Sequence, residues 1–389
     1  MHLFDRYLNV TENWAFRLLD NLPDTDIVVG STHFLKNNYY PGKFEYIEFP
    51  VKQIDQQQHL LTVRMFNRLA SRLLGFYPYY LSKMAGRIDL VHSHFAYVGW
   101  QYLGLARKLG APHVVSFYGF DYENLPYRQP VWKGRYMDLF READLFLCEG
   151  SFGAGILEKI GCPPHKIRIG GLGVDVANIP VFRRQKKAGE LRLLQIATFN
   201  EKKGHVYTVK AFIEALKECS DMTLTLVGGD PAGIRTEVLQ TIRGSRAEGK
   251  VVFMDRIDFE GLYGFMHDFH VFIHPSCYSR DMDSEGGAPV VLLDAQATGM
   301  PVIATTHCDI PDEVVHGETG LLTPEKDVAA LARSIRRFCA MDDKEYQGFA
   351  KAARSHMEKN YDAKALASIV GSFYHDLIAR TSGVRRRDA

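Results

Sequence analysis

The 389-residue chain has no Cys-x-x-Cys pair, no long apolar run and no excess charge of either sign. Its six cysteines stand apart from one another and from any His cluster, so neither a disulfide framework nor a structural zinc site is indicated. No stretch approaches the roughly 18 apolar residues that a spanning helix requires. The segment Met1-His-Leu-Phe-Asp-Arg also lacks a basic region leading into an apolar one. We therefore expect a reduced, cytoplasmic protein, working in the cytosol or at the inner face of the membrane. Lys plus Arg number 47 against 46 Asp plus Glu, a net charge of +1, so no global field attracts nucleic acid and any anion site must be local.

What is present is ordinary globular composition, 46% hydrophobic and 24% charged. At roughly 150 residues per domain, the length favours two domains. From Ile88 onward, short β-branched runs alternate with helix-length amphipathic segments, the pattern of parallel sheets covered by helices. Strands are read at Ile88-Asp-Leu-Val-His, His113-Val-Val-Ser-Phe and Leu145-Phe-Leu-Cys, with a helix from Val98 to Leu109 stopped by Gly110. The alternation lapses from Val174 to Glu190, around Pro180 and the basic group Arg183, Arg184, Lys186 and Lys187, and then restarts. This predicts two doubly wound α/β domains, residues 1–180 and 181–365, with a C-terminal helix in 366–389. The first 85 residues are less regular, and their first strand is not followed by a Gly-rich phosphate loop. Thr11 reads as the cap of a helix to Leu22. Between Leu60 and Leu74, Arg64, Arg68 and Arg72 recur along one face of an amphipathic segment; a membrane-surface helix and a solvated Arg stripe both satisfy that pattern.

The most informative stretch runs from Ser284-Glu-Gly-Gly-Ala-Pro289 to Gly299-Met-Pro-Val-Ile. It reads as a flexible loop, a helix with Pro289 at its first position, a glycine stop and a buried strand. The helix start presents free backbone N–H groups and a positive dipole end, an anion site at Gly286, Gly287, Ala288, Pro289 and Val290. Glu285 would meet neutral hydroxyls of a bound ligand, and Asp294, more than one turn deeper, could accept from a diol such as ribose. A second basic point, Lys203 before Gly204, follows the second domain's first strand and would complete a diphosphate cradle.

These elements, with His274-Pro-Ser276 and Glu313-Val-Val-His-Gly-Glu-Thr-Gly320, resemble family 4 glycosyltransferases, retaining nucleotide-sugar enzymes of the GT-B fold. Ser116-Phe-Tyr-Gly-Phe-Asp121, Glu149-Gly150 and Asp309-Ile-Pro are similar to the colanic-acid, exopolysaccharide-type branch. The resemblance covers Ile88 to the C-terminus. It implies two Rossmann-like domains facing a cleft, with the final helix packing back on the first. Glu285, Lys203 and His94 would be catalytic; the Gly286–Val290 loop, Asp294, Thr198, Gly204, His274 and Ser276 would bind the donor; Tyr118, Asp121 and Glu149 would lie on the acceptor side. His94 is expected at a strand end facing the cleft, and His92 is read as pointing to the opposite strand face.

The implied activity is a metal-independent hexosyltransferase, with a nucleotide-diphosphate sugar as substrate, a glycan or lipid-linked acceptor and no cofactor. An acceptor on lipid would suit peripheral membrane association through the Leu60–Leu74 segment and the basic groups near Arg183 and Arg385. Three departures stand out. Ala197-Thr198 replaces the family's Gly-Arg, removing one cation; Tyr118 replaces a frequent His; and eight residues separate Glu285 from Asp294, one more than the family carries. Asp281-Met-Asp283 matches an Asp-x-Asp metal signature that belongs to a different glycosyltransferase fold. A nucleotide-sugar epimerase of the same architecture and a non-catalytic sugar-nucleotide-binding relative are the alternatives.

Overall fold

The computed structural model describes residues 1–8, 12–35, 44–49, 84 and 86–385. Thr11 and the Leu60–Leu74 segment with its three arginines lie outside the described residues. Two parallel sheets organise the rest. The first contains β1 (His2–Tyr7), β2 (Val28–Phe34), β3 (Glu45–Glu48), β4 (Val91–His94), β5 (His113–Ser116), β6 (Leu145–Cys148) and β7 (Ile167–Ile169), in the order β3-β2-β1-β4-β5-β6-β7. The second contains β8 (Glu190–Ile196), β9 (Asp221–Val227), β10 (Val251–Met254), β11 (Val271–His274), β12 (Val302–Thr305) and β13 (Gly320–Thr323), in the order β10-β9-β8-β11-β12-β13. Every pairing between these strands is parallel. Both sheets reverse their order at an inner pair, β1/β4 and β8/β11.

Parallel strands joined by helical crossovers are covered on both faces, so their interiors are fully apolar or internally hydrogen-bonded. β6 (Leu-Phe-Leu-Cys) and β12 (Val-Ile-Ala-Thr) are buried throughout. In the second domain, Leu193, Leu224, Ile273 and Ile303 pack with Phe212 and Phe338 from the covering helices. Each such fully buried side chain contributes roughly 1.5–3 kcal/mol.

The helix Ala96–Leu109 ends at Gly110 with φ 61°, the left-handed stop expected there. The helix Asn13–Asn21 starts after Glu12, which makes no side-chain cap. Between β7 and β8 the chain is irregular but tightly held. Arg354 donates to the carbonyls of Val176, Ile179 and Ala297 at 2.7–2.9 Å, and Arg184 to those of Thr298 and Met266. Within the basic group there, Arg184 and Lys186 are buried against backbone carbonyls, whereas Arg183 is exposed and lies 3.6 Å from Asp343. The final helix, Ala363–Arg385, returns to the first domain, where Val370 and Tyr374 pack against Leu22, Val114 and Leu147. No helix among the described residues is long and apolar enough to cross a membrane. All six cysteines are free thiols.

Candidate active site

Ligands of open α/β sheets bind outside the carboxyl ends of the strands where the order reverses. At the β8/β11 reversal both strands deliver polar groups. Beyond β8 come the half-buried Thr198 and the turn Glu201–Lys203, closed by Gly204 at φ 69°. A Cβ on Gly204 would collide with the Pro275 carbonyl, so this glycine allows Lys203 to sit beside the end of β11. β11 ends at His274, whose Nδ1 lies 2.8 Å from Ser276 Oγ. Ser276 Oγ donates to Glu285 Oε1 at 2.8 Å, and Lys203 Nζ donates to both Glu285 oxygens at 2.8 and 2.6 Å. The Glu285 and Lys203 side chains are only 6% and 18% exposed. Burial alone would raise the Glu285 carboxyl, but the ammonium groups of Lys203 and Lys202 outweigh it and hold the group well below the usual carboxylate range.

The helix behind the loop spans Val290–Ala297, with Pro289 at its N-cap. The sequence placed Pro289 one position further in; having no N–H, it removes no helical hydrogen bond at either place. The Gly286–Ala288 loop thus lies at the positive end of that helix. Across the cleft the first domain closes onto it. Gly286 has φ 75°, and a Cβ on it would strike Gly119; a Cβ on Gly287 would strike the Glu149 carboxyl. Two first-domain segments, Tyr118–Asp121 and Glu149–Gly150, therefore meet the Gly286–Ala288 loop directly.

Several polar partners escaped the motif reading. Asp294, 3% exposed, accepts from Arg17 Nη2 at 2.9 Å and from Tyr263 OH at 3.0 Å. Arg17 comes from the first domain's Asn13–Asn21 helix, and nothing local in the sequence links it to a residue 277 positions later. The Glu285 backbone N–H donates to His307 Nε2 at 3.1 Å, and His307 Nδ1 donates to Glu325 Oε1 at 2.7 Å, which fixes the ring tautomer. Lys202 Nζ bonds Asp283 Oδ1 at 3.1 Å and the Ser284 carbonyl at 2.9 Å. Asp281 pairs with Arg128, so both acids of the Asp-x-Asp stretch are engaged by cations.

His94 requires correction. It is fully buried, with its ring stacked 4.2 Å from Phe4, its Nε2 3.1 Å from His2 Nδ1 and its Nδ1 2.9 Å from Tyr118 OH, so it does not open onto the cleft. Burial lowers its pKa to about 3. His92 also lies on the same strand face as His94, since side chains two apart on a strand share a face; their rings stack at 4.2 Å. His92 is bonded to Tyr374 OH and Ser116 Oγ at 2.6 and 2.7 Å. Among the described residues, His2, His92 and His94 converge as metal-ligating types, but these nitrogens already bond one another or neighbouring hydroxyls. Asp121 accepts the Tyr118 N–H at 3.1 Å, and burial raises its carboxyl to about 7.

Two facing, doubly wound parallel sheets with a glycine loop and helix end between them define the GT-B class of glycosyltransferases. The solved structure of Anabaena HepE in complex with UDP superposes with a TM-score of 0.72 at 16% identity, covering 97% of this chain and 100% of that one. Residues 39–178 match the model of Glycosyltransferase Family 4, and residues 190–341 match that of Glycosyl transferases group 1. WcaL of Escherichia coli (strain K12), which carries the name colanic acid biosynthesis glycosyltransferase, is 30% identical over 286 residues, 72% of this chain and 68% of that protein. The amylovoran biosynthesis glycosyltransferase AmsK of Erwinia amylovora is 28% identical over 283 residues, 70% and 67% of the two chains. The chain belongs to the family 4 glycosyltransferases, in their exopolysaccharide-type branch.

Proposed function

We propose that the protein is a retaining glycosyltransferase of polysaccharide assembly, moving a hexose from a nucleotide-diphosphate sugar to a glycan or lipid-linked acceptor without metal or cofactor. The observation that carries this reading is the Lys203–Glu285–Ser276 cluster beside a helix N-terminus, in a cleft closed by the other domain. The naming of WcaL and AmsK for exopolysaccharide synthesis and the UDP bound to HepE support it.

The diphosphate would lie at Gly286–Val290, with Lys203 and Lys202 neutralising the charge that develops as the C1–O bond loosens. Each such donor is worth about 3 kcal/mol when removed. Glu285, released from Lys203, would hold sugar hydroxyls, and Asp294 would exchange Arg17 for the ribose. The acceptor hydroxyl then attacks C1 on the face the diphosphate leaves, and its proton passes to the departing phosphate oxygen. A lipid-linked acceptor would bring the protein to the inner membrane face; nothing in the charge balance calls for nucleic acid.

A thermal-shift screen across nucleotides and nucleotide-sugars tests donor binding, since a ligand at about 100 times its Kd stabilises by about 2.7 kcal/mol. Proton NMR of the product then reads the anomer. An inverted product, or full transfer rates in Lys203→Ala and Glu285→Ala, would sink the proposal.

A further inference from the structure

We infer that His307 is a positioning residue for glycosyl transfer, an imidazole locked by a carboxylate that keeps the Glu285 backbone in place while the Glu285 side chain changes partners. The role rests on the transferase reading above, because it presupposes that Glu285 exchanges Lys203 for the hydroxyls of a sugar.

β11, β12 and β13 are parallel neighbours, so the residues that follow them emerge at one edge of the sheet. Tyr278 follows β11, His307 follows β12 and Glu325 follows β13. The His307 ring is fully buried and has little freedom. Its Nδ1–H donates to Glu325 Oε1 at 2.7 Å, and the Tyr278 ring packs against it at 82°, with centroids 5.0 Å apart. Glu325 is fixed in turn, its Oε2 accepting the Tyr278 N–H at 2.9 Å, and Tyr278 OH donates to Glu123 of the first domain at 2.6 Å. With its proton on Nδ1, the ring can only accept at Nε2. The Glu285 N–H lies 3.1 Å from that nitrogen, and the Cys308 thiol 3.2 Å.

Two features set this contact apart from ordinary packing. Cys308 has φ 48°, a left-handed conformation that residues other than glycine seldom adopt, and strain of this kind gathers at functional turns. The turn lets His307 accept from Glu285 while the Asp309 N–H, two residues on, donates to the Gly287 carbonyl at 3.2 Å. Glu285 is also gripped twice, through its carboxylate by Lys203 and Ser276 and through its backbone by His307. Sugar hydroxyls can displace the first grip but not the second. A carboxylate that releases a lysine to take a ligand needs a backbone that stays, since a misplacement of about 1 Å can cost roughly 100-fold in rate.

The test begins with release of nucleoside diphosphate from UDP-glucose, UDP-galactose, GDP-mannose and dTDP-rhamnose, water serving as acceptor, to find a working donor. Steady-state kcat is then compared across variants, and calorimetry gives the Kd of the matching nucleoside diphosphate. His307→Gln brings an amide oxygen to the place of Nε2 and keeps an acceptor for Glu285; the shorter His307→Asn reaches only the place of Nδ1. The expected kcat falls about 100-fold in His307→Asn and less than about tenfold in His307→Gln. Nucleotide Kd should stay within about threefold in both, because the nucleotide carries no sugar for Glu285 to meet and the Asp309–Gly287 bond remains. Glu325→Ala alone should lower kcat about tenfold, yet add nothing in the His307→Asn background, as a group acting through the ring must. Undiminished kcat in His307→Asn, equal losses in the Gln and Asn variants, additive losses with Glu325→Ala, or nucleotide affinity falling in step with kcat would each overturn the role and leave the transferase reading intact. Release from none of the four donors by the wild-type protein would overturn that reading and the role with it.

Discussion

The Lys203–Glu285 pair permits a quantitative test through a double-mutant cycle of Lys203→Met, Glu285→Gln and both together. At 2.6–2.8 Å, with side chains 18% and 6% exposed, the pair is little screened by solvent. Removing one partner of a buried pair costs about 3–5 kcal/mol, because a charge is left unmatched. Lys202 still faces the Glu285 environment, which puts Lys203→Met near the low end, about 3 kcal/mol. The double variant is neutral, so it should lose far less than the sum of the singles, a coupling of about 2 kcal/mol. Urea unfolding combined with hydrogen exchange at the β8 and β11 amides would localise the loss to the second domain. The acid limb gives an independent reading. Glu285 is depressed below its ordinary 4.5, so its contribution is fully present above that pH and disappears as pH falls through the folded value. Glu285→Gln should abolish that limb. Additive single losses, or an unchanged acid limb in Glu285→Gln, would refute the assigned geometry.

Three further outcomes follow from the same structure. Asp121 rises from 3.8 to about 7 through burial, so the stabilisation from its protonated form is complete below 3.8 and is lost as pH climbs through 7. Asp121→Asn should therefore match wild type near pH 3.5 and exceed it at pH 8 by a margin on the order of 4 kcal/mol, read by urea midpoints across pH. Arg17→Ala should cost about 3 kcal/mol by stranding buried Asp294, and Asp294→Asn in that background should recover part of it in the same assay. Gly287→Val cannot coexist with the Glu149 carboxyl on that glycine, so the domains should separate, seen as a larger radius of gyration in X-ray scattering. An unchanged radius would show that the closed contact is not needed.

Much of the second domain was legible because its signals are local. Ser284–Pro301 carries loop, helix start, stop and strand within one window, and the structure departs from that reading only in moving Pro289 from the first helical position to the cap. The alternation of strands and helices likewise announced both sheets from Ile88 onward. The first domain was harder to read. β1 to β3 lie in a stretch where helices between strands are not obvious, and their order is set by pairing with β4 far along the chain. His92 and His94 show a different limit. A strand's period of two places them on one face, yet only the packing of Phe4, His2 and Tyr118 around them closes that face to solvent.

The sequence by itself determined the α/β class, the family, the glycine loop leading into a helix start and the residue types gathered around it, because each is written in spacing along a few dozen residues. Tertiary structure alone decided which of those residues touch. Arg17 meets Asp294 and Glu149 meets Gly287 only because two independently wound sheets face each other, and contacts across a cleft leave no periodic trace in either partner. The same closure brought Glu149 of the first domain to the cavity lined by Asp309, Asp312 and Glu313 of the second, an arrangement that depends on where chains meet in space.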